Sequence, residues 1–297
     1  MRAVKRDLPE VACVARTSDV LGEVPVWCAR EGALYWIDAM KPAIHRFVPA
    51  SGALTSWVPP QKLGSFALRR NGGFLLASRI GLALFDPAAG SFEVVANPEA
   101  DRPNNILNDG RCDRRGRFWV GSMDKMLERV TGRLYRLDPD HSCRVMEDDI
   151  WLFNGLCWSP DDRLLYFADS ERRAIYACDF DLDDGVVSNR RLFASTEGTP
   201  GVPDGATVDA EGFMWSAQFD SGSLIRYAPN GKIDRVVELP VSRATSCVFG
   251  GERLETLYVT SARFRLSGER LRAEPMAGSL LALDVGVRGL AEPPFGG

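Results

Sequence analysis

Four short segments interrupt the apolar pattern of the chain with carboxylates or amides. They are Leu21-Gly22-Glu23-Val24-Pro25-Val26-Trp27, Asn108-Asp109-Gly110-Arg111-Cys112-Asp113, Phe153-Asn154-Gly155-Leu156-Cys157-Trp158 and Pro203-Asp204-Gly205-Ala206-Thr207-Val208-Asp209. The last three share one frame: an Asn or Asp, a Gly one or two residues later, then a β-rich run. Taken singly, Asn-Gly and Asp-Gly are ordinary turn dipeptides, and Glu23 reads as a solvated surface carboxylate. Their common position points instead to oxygen ligands that converge. Glu23, Asn154 and Asp204 would supply two carboxylates and one amide oxygen. Hard oxygen donors of this kind suit Ca²⁺, Mg²⁺ or Mn²⁺, and Zn²⁺ also accepts carboxylates. Two negative charges neutralise a dication and leave coordination positions open for water and substrate, as a catalytic site requires.

Other chemistries find less support. The two histidines stand in poor contexts, His45 on a β-rich run and His141 in the polar turn Asp138-Pro139-Asp140-His141-Ser142. That disfavours a His-type zinc site and a Ser-His-Asp triad. There is no Gly-x-Ser-x-Gly, no phosphate-binding GxxxxGK[ST] and no GxGxxG. The seven cysteines, at 13, 28, 112, 143, 157, 178 and 247, contain no CxxC pair and read as buried free thiols.

The elements that must bring the four segments together are visible as an internal repeat. Each copy has a Gly or acidic turn, a short β-rich run, a polar gap, a second β-rich run and an Asp/Pro/Gly turn. Gly32-Ala33-Leu34-Tyr35-Trp36-Ile37-Asp38 followed by Ala43–Pro49 is the first copy, and Thr256-Leu257-Tyr258-Val259-Thr260 followed by Gly278–Asp284 is the sixth. The starts recur roughly every 40–50 residues, the period of propeller blades. The runs are rich in Val, Leu, Ile, Tyr, Phe and Trp, which suit a pleated, half-buried surface, and no sustained 3.6-residue apolar period calls for long helices. The expected architecture is all-β, a six-bladed β-propeller. It would form one domain over residues 1–297, with residues 1–12 as a flexible N-terminal extension. Leu21 to Trp27 precedes the first full copy and is expected to pair with strands from the C-terminal end, closing the ring. In such a ring, polar residues placed just before each inner strand meet over the central channel although they are far apart in sequence.

Composition narrows the partners. Lys and Arg total 36 against 40 Asp and Glu, a net charge of −4, so no electrostatic case exists for a nucleic-acid or anionic-membrane partner. No run approaches the roughly 18 apolar residues of a membrane helix, and the N-terminus does not read as a signal peptide. The expectation is a cytoplasmic protein, a monomer or weak homo-oligomer, whose partner is a small molecule.

These segments resemble the SMP-30/gluconolactonase/LRE family, which includes regucalcin and bacterial sugar lactonases. The likeness runs from about Leu21 to about Gly289. It is carried by Leu21-Gly22-Glu23-x-Pro25-x-Trp27, by Asn108-Asp109-Gly110 with Gly116-Arg117-Phe118-Trp119-Val120-Gly121-Ser122-Met123, and by Asn154-Gly155-Leu156. Ser188-Asn189-Arg190-Arg191, Pro203-Asp204-Gly205 and Cys247-Val248-Phe249-Gly250-Gly251 complete it. The resemblance implies one divalent metal, most readily Ca²⁺ or Zn²⁺, held by Glu23, Asn154 and Asp204. It places Asn108 beside the metal or substrate and makes Asp204 the general base. The implied activity is hydrolysis of a sugar lactone to its acid. Two departures stand out. Many members carry Arg where this chain has Ile106, at a position that helps bind sugar hydroxyls, and the stretch Met123–Arg129 looks shortened. The metal centre is complete but the substrate-selecting rim is altered. A hydrolase of other esters, or a metal-binding propeller without turnover, is the alternative. Asp169, in Phe167-Ala168-Asp169-Ser170, is read as a supporting residue behind the ligands.

Overall fold

The structure is a computed structural model that describes residues 5–297. Six antiparallel sheets follow one another along the chain. Blade 1 is Gly22–Cys28, Ala33–Asp38, Ala43–Val48 and Ala53–Trp57. Blade 2 is Leu63–Leu68, Phe74–Ser78, Gly81–Asp86 and Ser91–Ala96. Blade 3 is Asn105–Cys112, Phe118–Asp124, Gly132–Leu137 and Cys143–Ile150, and blade 4 is Phe153–Trp158, Leu164–Asp169, Ala174–Asp181 and Val186–Ser195. Blade 5 is Val202–Val208, Met214–Phe219, Ser223–Tyr227 and Ile233–Glu238. Blade 6 takes Ala244–Gly250, Thr256–Ser261 and Leu280–Asp284 from one end of the chain and Val11–Ala15 from the other. The first strand of each blade packs against the first strands of its two neighbours, so these six line the axis and the fourth strands lie outermost. The expected six-bladed β-propeller is the observed fold. Its one α-helix among the described residues, Gly268–Ala273, sits in the long loop of blade 6 and is capped by Ser267.

Ring closure differs from the expectation. Gly22–Cys28 does not pair with C-terminal strands; it is the inner strand of blade 1 and pairs with Ala33–Asp38. Only Leu21 forms a single bridge across the seam, to Ala262. The seam is closed by Val11–Ala15, which pairs antiparallel with Leu280–Asp284 as the outer strand of blade 6. The reason is steric economy at the axis: an inner strand needs its hydrogen bonds for its own blade, whereas an outer strand leaves an open edge that another segment can cover. Residues 5–12, expected within a flexible extension, are likewise largely engaged. Lys5–Asp7 runs parallel to the outer strand of blade 5, and residues 1–4 lie outside the described residues.

The core lies between blades. Trp36, Trp119 and Trp215, each on a second strand, are fully buried. A buried indole N–H must find an acceptor, and each finds a carboxylate: Asp19 at 2.8 Å, Asp113 at 2.8 Å and Asp209 at 2.9 Å. Asp113 and Asp209 follow inner strands and also fix the turn below by accepting backbone N–H groups, from Arg115 and Arg117 in one case and Glu211 and Phe213 in the other. Arg117 and Arg226 complete these buried clusters, at 2.6 and 2.7 Å. The repeat seen in the sequence is thus also a repeat of polar satisfaction. All seven cysteines are free, five buried and two (Cys13 and Cys143) half-buried.

Candidate active site on the channel axis

Every inner strand breaks register with its neighbour near the end where it enters the ring. The breaks fall between Glu23 and Val26, Leu63 and Ser65, Leu107 and Gly110, Asn154 and Cys157, Pro203 and Ala206, and Ala244 and Ser246. A β-bulge leaves a residue unpaired and re-aims its side chain. Here a one-residue bulge recurs in all six inner strands, and Glu23, Asn108, Asn154 and Asp204 all stand at or within these breaks. Two strained or glycine-dependent positions mark them. Val24, a β-branched residue, is held at φ 50° directly after Glu23. Gly155, at φ 62°, follows Asn154, and a Cβ there would meet the Asp204 carbonyl oxygen at 2.8 Å.

The hydrogen bonds fix how the amides face. Asn108 Nδ2 donates to the Asn154 Oδ1 and to the Phe153 carbonyl oxygen, both at 2.9 Å. Asn154 Nδ2 donates to Ser170 Oγ at 2.8 Å, and Ser170 donates in turn to the Pro203 carbonyl oxygen at 2.5 Å. That relay links blade 4 to the residue preceding Asp204 and leaves the Asn154 amide oxygen facing Asn108. Asp169, fully buried, does not reach the channel through its hydrogen bonds. Its carboxylate accepts the backbone N–H groups of Trp151 and Leu152 at 3.0 and 3.1 Å, which fixes the segment leading into Asn154.

Asp109 is a residue that the sequence reading quoted within its motif but gave no role. Its Oδ2 accepts the Leu156 N–H at 3.4 Å, inside the bulge that carries Asn154. The sequence signal was there in the adjacent Asn-Asp pair, but alternation along a regular strand would have put Asn108 and Asp109 on opposite faces. The bulge cancels that rule.

Burial pushes the carboxyl groups of Glu23 and Asp204 well above the usual carboxylate range, and mutual repulsion adds to it. Glu23 is raised further by Asp204 and Asp109, with the Val24 N–H pulling the other way. Asp204 is raised further by Asp109 and lowered by the Gly205 N–H. Asp109 itself is raised by burial and opposed first by Arg111. A set of buried carboxylates that repel one another gains from a shared cation. Among the described residues no three His, Cys, Asp or Glu side chains are grouped as ligands; the Asn154 amide lies in the neighbouring blade, bonded to Asn108. Two carboxylates and an amide oxygen are, as a donor set, suited to a hard divalent ion. The histidines lie elsewhere. His45 stands between Asp19 (3.2 Å) and Ser56 (2.7 Å) on the outer side of blade 1, and His141 stacks on Phe295.

Around the mouth, Ile106 is half-buried on the inner strand of blade 3, opposite Met123. The loop after Asp124 is a compact turn. Asp124 accepts the Met126 N–H at 2.9 Å, and Trp151 Nε1 donates to the Leu127 carbonyl oxygen at 2.9 Å.

The family model described as SMP-30/Gluconolactonase/LRE-like region matches residues 21–263, the stretch holding all four of these side chains. The chain belongs to this family. Among its relatives is the 6-deoxy-6-sulfogluconolactonase of Pseudomonas putida, 40% identical over 96% of this chain and 98% of that protein. Regucalcin of Xenopus laevis is 35% identical over 97% of this chain and 99% of its own. The solved structure of a calcium-binding regucalcin from Agrobacterium tumefaciens superposes with a TM-score of 0.93 at 29% identity, covering 98% and 99% of the two chains. Family membership accounts for the fold and for the recurrence of the motifs. What this chain's own residues do follows from their placement.

Proposed function

We propose that this protein hydrolyses a sugar lactone at the channel mouth, using a divalent ion held by Glu23, Asn154 and Asp204. The reading rests on one observation: Glu23, Asn154 and Asp204 stand at matching register breaks in the inner strands of blades 1, 4 and 5, with Asn108 bonded to Asn154. The activity named for the Pseudomonas putida relative supports the reaction class, and the calcium-binding Agrobacterium structure supports a metal. When bound, the ion supplies Lewis-acid polarisation of the lactone carbonyl. Asp204 takes a proton from the water that attacks that carbonyl carbon and returns it to the ring oxygen as the C–O bond breaks, leaving a hydroxy acid. Burial and the nearby Asp109 charge raise the proton affinity of Asp204, which strengthens it as a base at neutral pH. Asn108 keeps Nδ2 on Asn154 and presents its amide oxygen to a substrate hydroxyl. Glu23 and Asn154 hold the ion, and Ile106 offers an apolar wall where many family members place Arg.

One feature favours a lactone that carries a negative charge away from the ring. Lys62 and Arg79, joined by a backbone hydrogen bond of 3.2 Å, and Lys125, whose N–H reaches the Asn104 carbonyl oxygen, are exposed on the mouth side of blades 2 and 3. No ion pair among the described residues occupies any of the three. Unpaired cations at a cleft raise the local concentration of anionic substrates. The test is acid release at constant pH from a panel of neutral aldonolactones and their 6-sulfonated counterparts, after chelator stripping and reconstitution with Ca²⁺, Mg²⁺, Mn²⁺ or Zn²⁺. Metal-dependent turnover that Asp204→Asn abolishes while still binding the ion is the expected result. Turnover that survives both chelation and Asp204→Asn would refute the assignment.

A further inference from the structure

The far end of the channel is closed by the chain's own C-terminal tail. Gly289 bonds to Leu254 below blade 6, and the Arg288 carbonyl oxygen accepts from Ala210 below blade 5. Phe295, fully buried, then exchanges hydrogen bonds with Leu68 and Arg70 below blade 2, and Gly296 donates to Gly116 below blade 3. Each of these contacts is to the last residue of an inner strand or to the turn that follows it, at the strand end opposite Glu23, Asn154 and Asp204. Midway across, the tail delivers Glu292 to Arg111 at 2.6 Å, with both side chains nine-tenths buried. Arg111 sits two residues beyond Asp109 on the inner strand of blade 3. A cavity of about 50 Å³ lies between them, lined by Arg111, Cys157, Trp158, Thr207 and Glu292 among others. Its lining includes Glu292 and Trp158, whose second carboxylate oxygen and indole N–H have no protein partner, and it has room for water.

Charges therefore form a column down the axis: Glu23 and Asp204 at the mouth, Asp109 below them, Arg111 next and Glu292 at the floor. Without Glu292, a buried guanidinium would be left facing only Asp109. It would draw that carboxylate away from the Leu156 N–H and so disturb the bulge that presents Asn154. The same removal would leave the mouth one negative charge weaker.

We propose that Glu292 is a positioning residue for the divalent-ion site. It holds Arg111 on the channel floor, so that Asp109 stays on the blade-4 bulge and the mouth keeps its negative potential. This rests on the reading of Glu23, Asn154 and Asp204 as ion ligands, and the test separates the two. Chelator-stripped wild type is titrated with Ca²⁺, Mn²⁺ and Zn²⁺ by calorimetry, and Glu292→Gln and Glu292→Asp are titrated alongside. Melting temperatures of the stripped proteins are recorded in parallel. The expected result is an ion affinity reduced on the order of fivefold to tenfold in Glu292→Gln, the scale of one charge acting through a partly screened interior, and recovered in large part in Glu292→Asp, which restores the charge. A Glu292→Gln protein that melts earlier but binds the ions as tightly as wild type would make the tail a structural plug and overturn the proposal. Wild type that binds none of the ions would remove the ligand assignment itself, and this inference with it.

Discussion

Replacing Gly155 by Ala separates stability from site geometry, because the added methyl points at Asp204. Two costs can be worked from the structure. Gly155 has φ 62°, and an L-residue there pays roughly 1–2 kcal/mol. The new Cβ would sit 2.8 Å from the Asp204 carbonyl oxygen, about 0.6 Å inside the 3.4 Å at which ordinary contact begins, and 3.2 Å from the Ala168 Cβ. Relieving such a contact in a packed interior costs about 1–3 kcal/mol. Together these predict a loss of roughly 2–5 kcal/mol, which at about 2–4 °C per kcal/mol for a chain of this size class lowers Tm by on the order of 4–20 °C. The catalytic consequence should be larger in proportion. Relief of the clash moves the Asn154 bulge against the Asp204 backbone, and a misplacement near 1 Å can cost about a hundredfold. At 15 °C, where the variant remains folded, kcat/KM for lactone hydrolysis should fall about tenfold or more, with a parallel loss of ion affinity. A variant with the lowered Tm but wild-type kcat/KM and ion affinity would show that the two bulges do not set the site.

The titration of the site gives a second outcome with a definite sign. Glu23 and Asp204 have folded-state carboxyl groups raised well above their ordinary values, by burial first and then by neighbouring carboxylates. The native metal-free protein therefore binds more protons than the unfolded chain above about pH 4, so these groups favour folding at low pH and that contribution is lost as pH rises. Chelated wild type should lose Tm relative to chelated Asp204→Asn between pH 5 and 8, and the Tm gain on adding a saturating divalent ion should grow over the same window; a gain that is flat with pH would contradict it. Asp209→Ala should act on stability alone. It removes the buried acceptor of Trp215 and Arg226 at the far end of the Asp204 strand, so urea unfolding should show a loss of about 3–5 kcal/mol with kcat per folded molecule close to wild type.

The blades were legible because their signal is local. Gly32–Asp38 with Ala43–Pro49, read as two runs and a gap, are the strands Ala33–Asp38 and Ala43–Val48, since turn chemistry and β-branched or aromatic runs act over a few residues. Asn108, Asn154 and Asp204 were legible because they share one frame relative to that repeat, and Glu23 because its segment breaks the apolar pattern just before the first copy. The seam was not. Val11–Ala15 has no copy to be matched against, and its partner lies some 270 residues away, so only the open edge of Leu280–Asp284 explains its place. Nor could the bulges be read, since a register shift is defined by two strands and one sequence shows each alone. Asp109 and the Glu292–Arg111 pair stayed hidden for the same reason: nothing in Ala291-Glu292-Pro293-Pro294 marks it as the floor of a channel.

The placement of Val11–Ala15 has a consequence for how the molecule is made. As the ribosome releases the chain from the N-terminus, blades 1 to 5 can each form from contiguous sequence. The sixth waits for Leu280–Asp284, and the early strand that completes it must stay unpaired until then. Pairing across nearly the whole chain is the slow kind of contact, and an arc of five blades with two raw edges is the species most exposed to misassembly. Glu23 stands on the first blade and Asp204 on the fifth, with blade 6 between them. The two carboxylates come within reach of each other only when that last segment has been inserted. A ligand gripped by both is therefore a reporter of completed synthesis: it distinguishes the closed ring from every nascent arc that precedes it.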